Sequence, residues 1–152
     1  MRLKLILTVG VSNSSKTTWA KTYCREHPDT INLSRDHYRY GIFSNSELPL
    51  DMLEKEVTWN LFNDFNKAIL AGKNVIISDG NLNKLTRNYW HRVIGMHNID
   101  IEYVVFQSAF NNIFFNNNEI HLLPSYVLDK QYTKYMEFIN STPNPKAIYK
   151  FI

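Results

Sequence analysis

Apolar and polar positions fall in blocks along this chain, and the block lengths predict strands and helices in turn. Residues 3–9, LKLILTV, are a short run of apolar and β-branched residues ending at Gly10, the pattern of a buried strand. Residues 17–26 hold good helix formers and no Gly or Pro, so a helix is expected there. His27-Pro28-Asp29 breaks the chain, and residues 30–33 (TINL) predict a short second strand. After loop-like residues at 42–47, Pro49 can sit in the first turn of a long helix to about residue 71, with Gly72 as its stop. Met52, Leu53, Val57, Leu61, Phe65, Ala68 and Ile69 mark its buried stripe. Residues 74–78 (NVIIS) predict a third strand, 84–96 a helix with Leu85, Tyr89, Trp90 and Val93 inward, and 101–106 a fourth strand. A short helix near 109–116, another from about 124 to 138, and a last strand over 147–151 follow. Strand and helix alternate throughout, so the expected class is α/β: one domain over 1–152, a parallel sheet flanked by helices.

Composition narrows the setting more than the chemistry. A 44% hydrophobic and 20% charged chain of 152 residues is an ordinary globular domain with room for one core. Its net charge of +3 is compatible with an anionic ligand. The single Cys24 rules out an intramolecular disulfide and most cysteine metal sites, so a buried thiol in a reducing, cytoplasmic compartment is expected. The N-terminal apolar run is too short for a signal peptide, no stretch approaches a membrane span, and no membrane partner is expected.

The candidate chemistry begins where the first strand stops. Strand, Gly10, a loop, then Lys16-Thr17-Thr18 opening a helix is the layout of a phosphate-binding P-loop. In that layout the backbone N–H groups of Gly10, Asn13, Ser14, Ser15, Lys16, Thr17 and Thr18 supply the nucleotide cradle. Lys16 reaches the β/γ oxygens, and the Thr17 hydroxyl ligates Mg²⁺. The motif asks for Gly just before the Lys, and this chain has Ser15. A plain strand–turn–helix connection with a capping Ser or Thr is the simpler alternative. Asp36, just past the second strand, is placed over the strand C-termini where α/β proteins bind ligands, or it balances a helix dipole. Arg39 would share its helical face. Asp79, at the tip of the third strand, has a Walker-B-like placement for a Mg²⁺ water, or forms an Asp-Gly turn with Gly80.

Four segments in order, GVSNSSKTTWAK, NLSRDHYR, VIISDGNLN and LLPSYVLDKQYTKY, resemble the kinase domain of the T-even phage polynucleotide kinase family over nearly the whole chain. The resemblance implies a P-loop kinase fold with a short helical lid over about 108–124. It further implies ATP-dependent transfer of a γ-phosphate to the 5′-hydroxyl end of DNA or RNA. Lys16 and Thr17 would bind the nucleotide phosphates and Mg²⁺. Asp36 matches the family's general base, and Arg39 the arginine that contacts the acceptor. Asp79 and Asn81 lie in the segment lining the site. The segment STPNPKAIYKFI resembles the junction into a phosphatase domain, but a DxD motif is absent from these residues, so no 3′-phosphatase activity is expected.

Two departures from the family pattern carry weight. Asn13 and Ser15 replace P-loop glycines. Residues 93–129 contain no Lys or Arg, although the family's lid carries arginines that clamp the transferring phosphoryl group. An active 5′-hydroxyl polynucleotide kinase using ATP or another NTP with Mg²⁺ is therefore one expectation. A catalytically degenerate kinase fold that binds a host protein is the second, with Phe110, Phe114 and Phe115 as its contact surface. A P-loop fold acting on a non-nucleic acceptor is the third. The chain specifies no interface, so either a homo-oligomer or a host partner fits it.

Overall fold

The computed structural model describes residues 2–12, 14–43, 49–107 and 125–152, with the backbone alone at 41–43 and 125. The expected short helix at 109–116, the lid at 108–124 with its phenylalanines, and Asn13 lie outside the described residues.

Five parallel strands form one sheet in the order β2-β3-β1-β4-β5. They are β1 (Lys4–Val9), β2 (Thr30–Leu33), β3 (Asn74–Ile77), β4 (Asp100–Val105) and β5 (Ala147–Phe151). The helices between them are α1 (Lys16–Glu26), α2 (Arg35–Phe43), α3 (Leu50–Leu70), α4 (Lys84–His97) and α5 (Ser125–Asn140). β1 is central: Leu5 pairs with Val75 on one side and Ile101 on the other. Its apolar residues, Leu5 to Leu7 and Val9, are fully buried because helices cover both faces.

The two faces carry different cores. Leu5, Leu7 and Val9 pack with Leu61 and Phe65 of α3, Trp90 and Val93 of α4, and Leu128 and Phe138 of α5. Ile6, Ile76 and Val104 point the other way and pack on Ala20, Trp19 and Tyr23 of α1. On that second face Glu102 is almost wholly buried, and it is bracketed by Lys4 Nζ at 3.6 Å and Lys150 Nζ at 3.0 Å.

The expected elements that fall on described residues form, with differences of one or two residues at most ends and two corrections inside the stripes. Met52 and Leu85 are exposed. Each lies off the buried line of its helix, which runs through Leu53, Val57 and Leu61 in α3 and through Arg87, Trp90 and Ile94 in α4, so it faces solvent beside first-turn neighbours that are buried. α2 continues to Phe43, past the start of the loop expected at 42. Pro49 stands just before α3 as its cap residue, and Gly72 follows α3 at φ +76°, the left-handed stop that glycine takes without strain. Cys24 is half-buried against the α1 core, and burial pushes its thiol pKa up.

Candidate active site

The loop from Gly10 to Ser14 leaves β1 at the centre of the sheet and turns into α1. Gly10 is there for space. A Cβ on it would stand 2.7 Å from Ser14 Oγ and 3.2 Å from Phe106 Cβ. Its amide donates to the carbonyl of Gly80 at 3.2 Å, and a Cβ on Gly80 would lie 2.9 Å from the Gly10 carbonyl oxygen. The tips of β1 and β3 therefore touch backbone to backbone. Ser15, where a P-loop has glycine, sits at φ +66°, ψ +20°. A non-glycine residue there carries strain of about 1–2 kcal/mol from its Cβ against the following carbonyl.

Lys16 curls back over the loop. Its Nζ donates to the Val11 carbonyl at 2.6 Å and to Ser14 Oγ at 3.0 Å. Burial lowers its pKa to about 8, against the pull of the Asp79 and Asp36 carboxylates. Thr17 and Thr18 are exposed on the first turn of α1. From the far side, α5 braces the loop: the Ser12 amide donates to Gln131 Oε1 at 2.8 Å, and Gln131 Nε2 donates to Ser12 Oγ at 2.9 Å.

The chain ends of β2 and β3 complete the site. Asp79 leaves β3 and accepts from the Arg35 amide at 2.9 Å and from Ser34 Oγ at 3.2 Å, both through Oδ1, so it caps the start of α2. Burial raises its pKa, opposed by those two donors. Asp36 stands on the first turn of α2 with its side chain 86% exposed and ion-paired to Arg39 Nη1 at 2.9 Å. Arg39 also donates through Nε to Glu54 Oε1 at 2.7 Å, and Arg35 Nη2 donates to Glu54 Oε2 at 2.8 Å. The hydrogen bond from Arg39 is the main cause that holds the Glu54 carboxyl below its usual pKa, and Arg35 adds to it.

Lys16, Asp36 and Asp79 thus come together over the C-terminal ends of three adjacent strands. A sequence model of the AAA domain family matches residues 5–113, which take in all three of these residues and the loop itself. The chain belongs to the AAA domain family. Its curated relatives include a protein of Autographa californica nuclear polyhedrosis virus named as a bifunctional polynucleotide kinase/RNA ligase. This AAA domain is 27% identical to it over 149 residues, which is 90% of the domain and 21% of the relative. Among solved structures it resembles a chain of the Pnkp1/Rnl/Hen1 RNA repair complex (TM-score 0.69, 20% identity, 97% of this chain and 49% of that one). It also resembles the APS kinase CysC of Mycobacterium tuberculosis, solved with AMPPNP and APS (TM-score 0.58, 16% identity, 97% of this chain and 88% of that one). The domain spans about a fifth of the viral relative and about half of the repair-complex chain. Its fold is that of a P-loop kinase, and it is similar to a polynucleotide kinase.

Two features of this AAA domain fit a phosphate-bound Mg²⁺. The Thr17 hydroxyl is exposed beside the cradle, and Asp79 keeps Oδ2 without a hydrogen bond among the described residues. No cluster of three acidic, His or Cys side chains among the described residues makes a cage of its own. Mg²⁺ bound with a nucleotide needs only one or two protein oxygens beside the substrate's phosphates, and Thr17 and Asp79 could supply them.

Beside Asp79 a cleft of about 1110 Å³ opens between α2, α3 and α4, lined by Arg35, Arg39, Glu54, Thr86, Asn88 and Arg92 among others. Asn81 faces away from it. Its side chain is buried and its amide nitrogen donates to the carbonyls of Thr8 at 2.8 Å, Ile77 at 3.1 Å and Asp79 at 3.1 Å. It ties the β1 and β3 tips together at φ +48°, instead of presenting a donor to a ligand. Sequence reasoning missed the roles of Glu54, Arg35 and Gln131, which act across chain separations that no local pattern encodes, and read Gly80 only as half of an Asp-Gly turn.

Proposed function

We propose that this domain is a 5′-hydroxyl kinase that moves the γ-phosphate of ATP or another nucleoside triphosphate onto the end of a nucleic acid strand. The observation that carries this reading is the joining of two half-sites at one rim of the sheet. A lysine-bearing phosphate loop lies on one side, and on the other an exposed aspartate is ion-paired to Arg39, which lines the cleft. Asp36 takes the proton of the attacking 5′-hydroxyl as its oxygen bonds to the γ-phosphorus and the bond to the β,γ-bridging oxygen breaks, leaving the diphosphate. Lys16 and the amides of Ser14 to Thr18 hold the phosphate chain, and Thr17 and Asp79 would hold Mg²⁺, which would neutralise charge on it. Arg39, oriented by Glu54, receives the acceptor's nearest phosphate. The viral relative couples polynucleotide kinase to RNA ligase in its name, and the repair-complex chain shares this fold, so we favour an RNA end as the acceptor. The motif order supports kinship with the T-even phage enzymes.

Transfer of labelled γ-phosphate to a 5′-hydroxyl oligoribonucleotide tests this directly. Label is expected on the RNA with the native chain; Asp36→Asn should cut it by about 10²–10⁴-fold, as removal of a general base does, and Lys16→Ala should lower it through lost contact with the phosphate chain. A second reading rests on one observation: residues 93–129 carry no Lys or Arg, and a positive clamp on the phosphoryl group is worth about 10³–10⁵ in rate. A chain that binds ATP by calorimetry but labels no acceptor would be a degenerate kinase fold serving as a binding module for a protein partner.

A further inference from the structure

A second cavity of about 830 Å³ lies between the first half of α4, α5 and the connection into β5, and it meets the acceptor cleft at Asn88, His91 and Asn144. Arg87 forms part of its wall. This residue is only 9% exposed, yet among the described residues its guanidinium makes one hydrogen bond, from Nη1 to the Asn81 carbonyl at 3.0 Å. Its plane lies near the Phe138 ring, 4.7 Å from the centroid. Four of its five N–H donors make no hydrogen bond among the described residues, and no carboxylate there pairs with it. Burial alone lowers its pKa, and the groups that favour its charge are the Tyr103 and Tyr149 hydroxyls, not an acid.

A buried cation without a counter-ion is costly, and a cavity beside it is where the counter-ion goes. The rest of the lining agrees. Lys84 and Lys134 add positive charge, against the single carboxylate of Glu137. His91 is neutral near pH 7: burial and the Arg87 charge both lower its pKa, and its Nε2 is paired with the Tyr103 hydroxyl at 2.8 Å. The cavity therefore attracts an anion and can donate to it from several directions.

We propose that this cavity holds a backbone phosphate of the acceptor strand, downstream of the 5′ end that lies at Asp36. The assignment rests on the acceptor being a polynucleotide. It gives the enzyme a reason to prefer a strand over a nucleotide, because only a chain that enters by the Arg39 cleft and continues past Asn88 reaches both sites. A free phosphate ion has the same chemistry, and the test separates the two.

A fluorescent 3′-labelled RNA dodecamer and a trimer, both with free 5′-hydroxyls, would be titrated by anisotropy over a salt series, beside inorganic phosphate as competitor. The Lys84→Gln/Lys134→Gln protein should fold as the native chain does, bind the trimer equally, and bind the dodecamer about tenfold more weakly, with a salt slope smaller by about 1. Arg87→Gln should add to that loss wherever its melting curve shows a folded protein. Unchanged dodecamer affinity and slope in the double variant overturn the proposal. So does a double variant that loses competition by inorganic phosphate while keeping the dodecamer, since the cavity would then take a free ion. Label transfer is read separately. Absence of transfer with variant-sensitive strand binding removes the kinase reading and leaves the cavity. Transfer with no difference in binding does the reverse.

Discussion

Ser15 is a residue at odds with its backbone. At φ +66° a glycine would be unstrained, so Ser15→Gly is expected to raise stability by about 1 kcal/mol, some 2–4 °C in melting temperature for a domain of this size. Thermal unfolding followed by circular dichroism checks it; a lower melting temperature would mean that the serine hydroxyl does something the backbone angle does not show. Lys16 gives a prediction in pH. Its folded-state pKa of about 8 lies below the ordinary 10.5, so the cost of burying its charge is fully present below pH 8 and is relieved as pH rises towards 10.5. Bound phosphates favour the charged form. Nucleotide binding should therefore take up a proton near pH 8–9 and weaken above it, which calorimetry in buffers of different ionisation heat would read out. Both residues were legible in the chain, because the spacing from Gly10 to Lys-Thr names their positions. The Ser12–Gln131 pair was not. Its partners stand 119 residues apart, and a lone glutamine on a helix carries no mark of what it will touch.

At the scale of elements, the site depends on two tips held in contact. Gly80 has an ordinary backbone conformation, and what it lacks is room: an added Cβ would press on the Gly10 carbonyl oxygen. Gly80→Ala should cost about 1–3 kcal/mol and also weaken nucleotide binding, because the tips separate where the phosphate loop begins. A variant that melts lower but binds ATP normally would show that the loop adjusts independently of β3. Gln131→Ala removes the brace from α5 and leaves the Ser12 amide to water, at about 1 kcal/mol, with the larger effect expected on nucleotide affinity. Most elements could be read from the chain because a short apolar run and a 3.6-residue stripe announce strand and helix. Met52 and Leu85 could not, since an apolar residue at the edge of a helical stripe reads as part of it, and only the packing decides which side of that edge is covered. Asn81 shows the same limit within a motif: its neighbours in sequence suggested a ligand contact, and only the crossing of β1 and β3 gives it three carbonyls to hold.

At the scale of the whole molecule, the α/β class followed from alternation, while the order β2-β3-β1-β4-β5 did not, because buried parallel strands are all short apolar runs and carry no sign of which neighbour they take. That order sets a schedule. β1 is made first, yet its two partners are β3 and β4, so Leu5 must wait for Val75, seventy positions along the chain. At a synthesis rate of about 5–20 residues per second, that wait is roughly 4–14 s. Ribosome-bound chains that expose residues only through α3 should be cut readily by protease near β1, and those that expose β4 should resist. Until then a strand whose apolar residues all end up fully buried is without a sheet, and the phosphate loop attached to it has nothing to hold its shape.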